Sequence, residues 1–142
     1  MAERLMRIGE LAERTGLSHP TIRHYDATGL LSPSARTIGN FRLYSEADYE
    51  KLMVIRRMKP LGFTVEEMRE VLLIVEGLRS GAASDQREAL LGSLRGFITD
   101  AVQRREKLQR TVERADEFIA VLRAEEAAVV ADAPVAEEAG RG

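Results

Sequence analysis

Apolar side chains recur at helical spacing through most of this chain, and the breaks between those runs mark its elements. The first run puts Ile8, Leu11 and Ala12 on one side of a short helix. Thr15-Gly16-Leu17-Ser18 makes a tight joint, and a second helix lies within SHPTIRHYDATGLL, residues 18–31. Ser18 suits the N-cap, because a serine hydroxyl accepts one of the N–H groups that a helix start leaves orphaned. Pro20 falls in the first turn, where its missing N–H costs little. Ile22 and Tyr25 are three apart and share the inward face, so Thr21, Arg23 and His24 point elsewhere. Gly29 suits the left-handed residue that closes a helix. Two short helices joined by a glycine-bearing turn read as a helix-turn-helix, whose second helix is shaped to enter a DNA major groove.

After Leu31 the pattern changes. Pro33 and Ser34 mark a turn, and Arg36 to Tyr44 reads as a hairpin with Gly39-Asn40 as a two-residue loop. Arg42 is expected on the face opposite Phe41 and Leu43, free to meet phosphate. Ser45-Glu46-Ala47-Asp48 has the form of a capping box, bracketed by Tyr44 and Tyr49 as a hydrophobic staple. It opens a helix to about Met58, with Tyr49, Leu52, Met53 and Ile55 inside. Lys59-Pro60-Leu61-Gly62 breaks that helix. Thr64-Val65-Glu66-Glu67 is a second capping box, with Phe63 and Met68 as staple partners. The helix it opens carries Val65, Met68, Val71, Leu72 and Val75 on one stripe.

GLRSGAAS, residues 77–84, looks like a linker, with Asp85 as a cap for the next helix. Leu91, Leu94, Ile98, Ala101, Leu108, Val112, Ala115, Ile119 and Leu122 then step by threes and fours, with Arg105 filling the one gap in register. This is a heptad seam with one charged member. Residues 86–123 would form a rod of about 60 Å at ~1.5 Å per residue. A lone helix with so narrow a stripe is poorly stable in water and needs a partner. The competing reading is a helix folded back on its own domain, and the regular spacing favours a partner. The Ala/Glu-rich tail from residue 124 has little to bury and is expected to be disordered.

Composition narrows the function classes. The net charge of −2 does not by itself indicate a nucleic-acid binder. Its distribution says more: residues 33–62 hold six basic side chains (Arg36, Arg42, Lys51, Arg56, Arg57, Lys59) against three acidic ones (Glu46, Asp48, Glu50), enough for a local basic surface. The sequence has no cysteine, which removes disulfides, thiolate metal sites and cysteine nucleophiles together. His19 and His24 are five apart on a helix and fall on different faces, so no metal site is expected. No serine sits near a histidine with an orienting acid, so no catalytic residue and no enzymatic activity are expected. The methionines read as core filler rather than a cofactor site. No apolar run approaches the ~20 residues that cross a bilayer, and the N-terminus lacks the apolar core of a signal peptide. The expected location is the cytoplasm, with no membrane partner.

Two stretches, RIGELAERTGLSHPTIRHYDATGLL and FRLYSEADYEKLMVIRRMKPLGFTVEEMREVL, together resemble the MerR family of bacterial transcription regulators. The resemblance covers roughly Met6 to Val75 and rests on several motifs in the right order. It implies a mainly α fold: a winged helix-turn-helix domain with a small β-hairpin wing over residues 6–76, a linker at 77–85, and an antiparallel coiled-coil dimerisation helix at 86–123. Residues 124–142 would be the tail. It implies that Arg23 and Arg42, which match the arginines of the family's IRYYE and YRxY motifs, bind phosphate. Ser18, Thr21 and His24 would face the groove, Arg36 and Asn40 would belong to the wing, and Lys59 would lie on a second wing. His24 departs from the family's tyrosine, and Asp26 replaces its glutamate. For Tyr25 and Tyr44, a hydroxyl offered to the DNA backbone and plain core packing both remain open.

The family's metal sensors place cysteines at the start of the coiled-coil helix, and its drug sensors add a large C-terminal domain. Neither feature carries over to this sequence. The reading is therefore a homodimeric, nucleoid-associated regulator on an inverted-repeat promoter site. It would bend and untwist the duplex for RNA polymerase, with no cofactor and with any small-molecule effector unidentified. An architectural DNA binder that senses nothing is the alternative. An interaction adaptor that has lost DNA binding is a third reading, opposed by the retained Arg23 and Arg42.

Overall fold

The computed structural model describes residues 4–31 and 35–132. The described residues form α1 (Ile8–Thr15), α2 (His19–Ala27), α3 (Glu46–Met58), α4 (Val65–Arg79) and α5 (Ser84–Asp132), with a 3-10 turn at Lys59–Leu61. The chain divides into two compact units between Asp100 and Ala101.

In the first unit the capping chemistry sets the helix starts. The Ser18 hydroxyl accepts the Thr21 N–H and opens α2. Ser45 and Asp48 form a reciprocal capping box, as do Thr64 and Glu67, so each helix start satisfies two orphan donors with one pair of side chains. Gly16, Gly29 and Gly62 take the left-handed conformation at the joints after α1, α2 and the 3-10 turn.

These starts aim one face of each helix inward. Leu11 of α1, Ile22 and Tyr25 of α2, Leu52 and Ile55 of α3, and Met68 of α4 are buried together with Met6 and Tyr44. Within α3, Tyr49 and Met53 are only half-buried, while Met58 joins the core. In α4, Val65, Val71, Leu72 and Val75 are half-buried, and Ile74, which lies off the expected stripe, is buried. A backbone bridge closes the N-terminus onto the rest, with Met6 and Tyr44 exchanging N–H···O bonds of 2.7 Å.

Four expectations change. The segment 36–44 forms one antiparallel bridge, Arg36 to Arg42, rather than regular strands. Its loop has three residues, not two. Asn40 N–H bonds Thr37 O, Asn40 itself is left-handed at φ 65°, and Thr37 N–H closes the loop on Phe41 O. That is a turn ending in a left-handed residue, the usual three-residue hairpin. Second, α4 runs on to Arg79, so residues 77–79 are helical and only 80–83 connect it to α5. Gly77 is there for close approach, since a Cβ on it would stand 2.8 Å from Leu90 Cδ1.

Third, α5 persists to Asp132, so residues 124–132 are helix, and residues 133–142 of the expected tail lie outside the described residues. Fourth, the first turns of α5 pack on their own domain. Leu90 meets Gly77, and the rings of Phe63 and Phe97 lie 6.2 Å apart. Leu91 and Leu94 are accordingly half-buried within a single chain. In the second unit Leu108, Val112, Ile119 and Leu122 are exposed, as are Arg105 and Ala115.

An ion pair ties α1 to α3. Arg14 donates to both carboxylate oxygens of Glu46, and its guanidinium lies 4.0 Å from the Tyr49 ring centroid. The hydrogen bonds from Arg14 hold the Glu46 carboxyl below its ordinary value of 4.5. The stabilisation this gives is present above the ordinary value and is lost as pH falls through the lowered one. Glu46→Gln should therefore lower the melting temperature at pH 7, and the gap to wild type should close on acidification. A gap that does not change with pH in thermal melts would show that the pair contributes nothing.

Candidate nucleic-acid interface

The two short helices and the hairpin enclose one open cleft of about 560 Å³. Four arginines reach it from three places in the chain: Arg7 at the N-cap of α1, Arg23 from α2, and Arg36 and Arg42 from the two sides of the hairpin. Asp26 is the one acid among its lining residues, so the cleft is strongly basic in a chain whose net charge is −2. Helical spacing sets Arg23 and Asp26 three apart on one face of α2. The hairpin bridge sets Arg36 opposite Arg42.

Two like charges opposite one another across a bridge repel. The site answers this with Asp26, which takes one of the pair. Arg42 Nε and Nη2 donate to the two Asp26 carboxylate oxygens at 2.9 and 3.1 Å, and Nη1 donates to Leu43 O at 2.7 Å. The Arg42 guanidinium also stacks 4.7 Å from the Tyr44 ring centroid. Its side chain is only 13% exposed. Arg42 is thus a part-buried, engaged fork and not the free arginine expected from strand alternation. Arg36 remains exposed, donating from Nη1 to Asn40 O at 3.2 Å across the hairpin tip.

Tyr44 and Tyr25 are core residues, 1% and 3% exposed. Burial raises both phenols above their ordinary value, and at Tyr44 the Asp26 charge adds to the effect. The Tyr44 hydroxyl therefore stays protonated and donates to Asp26 Oδ2 at 3.3 Å. One carboxylate on α2 accordingly holds both an arginine and a tyrosine of the hairpin.

The structure brings Arg23, Arg36, Asn40, Arg42 and Tyr44 together in this cleft. Ser18, Thr21 and His24 lie outside its lining, at the cap and on other faces of α2. Ser18 and His24 are exposed, and the Ser18 and Thr21 hydroxyls bond each other at 2.8 Å. Lys59 is exposed on the 3-10 turn, also outside the cleft lining. Sequence reasoning missed Arg7. Its position one residue before the first apolar run was the available signal, since an N-cap residue projects from a helix start instead of packing beneath it.

The MerR HTH family regulatory protein model matches residues 6–73. The transcriptional regulator HmrR of Rhizobium leguminosarum bv. viciae is 37% identical over 108 residues, which span 76% of this chain and 81% of that one. This chain belongs to the MerR family. Heavy metal-dependent transcription regulator 2 of Rhizobium meliloti is 40% identical over 86 residues, 61% of this chain, and there the match spans only 58% of the relative's length. In fold, the chain is similar to HiNmlR, a MerR family regulator lacking the sensor domain and bound to promoter DNA, with a TM-score of 0.65 at 19% identity. That match covers 87% of this chain and 94% of the other. The mainly α architecture with a long C-terminal helix is the family's, and the relatives named here are regulators.

Counterion release gives a way to tell the cleft arginines apart. An arginine that meets phosphate should, when replaced by alanine, lower the slope of log affinity against log salt by about 0.9. Arg23→Ala and Arg36→Ala are expected to do so in a duplex-binding salt series. Arg42→Ala should reduce affinity with a smaller change in slope, because Asp26 already matches its charge. Equal slopes for all three variants would show that the ion pair does not set Arg42 apart.

Proposed function

We propose that this MerR-family chain is a sequence-specific regulator that binds promoter DNA as a homodimer on an inverted repeat. The observation that carries the reading is the basic cleft, in which α2 and the hairpin present arginines from opposite sides of one opening. In the proposed complex α2 enters the major groove, with Ser18, Thr21 and His24 toward base edges. Arg23, Arg36, Asn40 and Arg7 meet backbone phosphate, and Lys59 does so from the second wing. The solved regulator of like fold that is bound to promoter DNA supports a duplex as the partner. A cytoplasmic location accords with it, and no helix among the described residues is long and apolar enough to cross a membrane.

Metal dependence is named for one relative, and a thiolate site is not open to this sequence. The sequence has no cysteine, and the described residues hold no group of three metal-ligating side chains. An architectural DNA binder without an effector is the alternative reading. A footprint on the protein's own promoter with and without cell extract separates the two, since an extract-dependent change in the footprint requires an effector.

The proposed dimer uses the exposed apolar positions of α5. Ile98, Leu108, Val112, Ile119 and Leu122 are each between 43% and 55% exposed in the single chain, at the spacing of a coiled-coil seam with Ala101 and Ala115 between them. Leu91 and Leu94, half-buried at home, contribute less than the seam's regularity suggested. Arg105 interrupts the seam with a charge, which costs stability and fixes register. Arg105→Leu should raise the melting temperature while permitting other oligomers in sedimentation. A wild-type monomer at micromolar concentration would overturn the dimer.

A two-fold dimer holds its two recognition helices at one separation, while B-DNA presents successive major grooves about 34 Å apart. Where those spacings differ the duplex must deform, at a cost of a few kcal/mol. The proposed mechanism is bending and untwisting at the centre of the repeat, so that RNA polymerase engages a promoter of unsuitable spacing. Duplexes with identical half-sites and flexible pyrimidine–purine centres should then bind more tightly than those with stiff A-tract centres. Equal affinities with a straight bound duplex would leave simple occlusion as the mechanism.

A further inference from the structure

Helix α2 is held at its C-terminal end from a second direction. Arg69, from the second turn of α4, donates from Nη2 to Thr28 O at 2.8 Å and from Nη1 toward Gly29 O at 3.5 Å. These are carbonyls at the end of α2, where the helix leaves its acceptors without intrahelical partners and its dipole is negative. Gly29 is left-handed at φ 80°, a conformation that favours glycine at a helix end, and Arg69 Nη1 lies in ordinary contact distance of it. Glu66 stands 3.8 Å from Arg69 Nε and is largely exposed. Thr28 directly succeeds the last helical residue of α2, so a hold on its carbonyl is a hold on the helix itself.

We infer that Arg69 is a positioning residue for DNA reading, which acts through the Thr28 and Gly29 carbonyls to fix the angle at which α2 meets the groove. Asp26 ties the same end of α2 to the hairpin through Arg42 and Tyr44, and the Arg69 bonds hold that end from the side of α4. The second tie, from α4, is made 41 residues away in sequence and from a different element. Arg69 lies outside the lining of the basic cleft, and its guanidinium donates to the backbone carbonyls of Thr28 and Gly29. Base contacts depend on the angle of α2, while phosphate contacts carry no sequence information. Losing the second tie should therefore loosen discrimination among sequences more than it weakens binding as such.

This inference rests on the DNA-binding reading, and the test separates the two. Wild-type full-length protein selects duplexes from a random pool. The selected duplex and its scrambled version then serve as probes across a salt series for wild type, Arg69→Ala and Arg69→Lys. Arg69→Ala should lose roughly tenfold of the affinity ratio between the two probes, about the size of one base contact, with the salt slope on scrambled duplex unchanged. Arg69→Lys, which keeps the charge but not the fork, should recover part of the ratio. It also carries the test if Arg69→Ala does not fold by circular dichroism. A ratio equal to wild type in the folded variants would overturn the inference and leave Arg69 a stability residue. A slope lowered by about 0.9 would overturn it in favour of direct phosphate contact. A wild type that enriches no duplex would overturn the DNA-binding reading itself.

Discussion

The Asp26 carboxylate is the constraint on which the candidate interface depends. It lies on α2, and it accepts from Arg42 and Tyr44 of the hairpin at distances of 2.9 to 3.3 Å. A hairpin joined by a single bridge has little intrinsic stability in water. Two charge-assisted bonds to a part-buried carboxylate give it a fixed place against the recognition helix. Removing one partner of such a pair leaves the other without its counter-charge in a part-buried site, so the arrangement stands or falls together. The same pairing lets Arg36 and Arg42 face one another across the hairpin, with Arg36 left as the exposed cation.

The rest of the first unit holds α2 and the hairpin in register. Ile22 and Tyr25 press α2 into a core shared with Leu11, Leu52 and Ile55, and the Met6–Tyr44 bridge seats the hairpin's far end on the same core. Tyr44 therefore serves both layers: its ring is core, and its hydroxyl reaches the Asp26 network. The two capping boxes fix where α3 and α4 begin, and through α4 they fix where Arg69 arrives. Local capping chemistry near the surface thereby reaches the reading face through a few long-range bonds.

Helices α1 to α4 are legible in the sequence because their signals are local. A cap, a periodic stripe and a closing glycine fall within a dozen or so residues, and Ser18, Ser45 and Thr64 each cap the helix expected of them. Of the cleft residues, Arg23 and Arg42 are legible through the family's motifs, and Arg36 and Asn40 through the hairpin pattern. What Arg42 does is not, because alternation along a strand gives a side but no partner, and its partner lies 16 residues back. Arg69 is invisible for a like reason, as a salt-bridging helix arginine and a helix-capping one look alike in sequence. Helix α5 is misread in its C-terminal extent and in what covers its first turns. Ala- and Glu-rich composition suggests disorder beyond residue 123, yet those residues are also good helix formers. At the other end, Leu91 and Leu94 continue the seam's spacing, while Leu90 and Phe97 turn the same stretch toward Gly77 and Phe63. Periodicity reports that a face is apolar without saying what covers it.

A chain of net charge −2 is a poor candidate for a nucleic-acid binder by composition alone, and the answer lies in distance. Ionic screening at physiological salt confines a surface charge's influence to about 8 Å. On the proposed reading a phosphate arriving at the cleft would meet Arg7, Arg23 and Arg36 at close range, while any acid more than a few such lengths from it is screened. The acidic balance of the whole chain discourages indiscriminate binding. The local arginines supply attraction where shape also fits. Because Asp26 neutralises Arg42, the cleft's net charge is smaller than its arginine count. That favours a binder whose affinity depends on holding α2 and the hairpin at the correct angle over one that grips any duplex by charge.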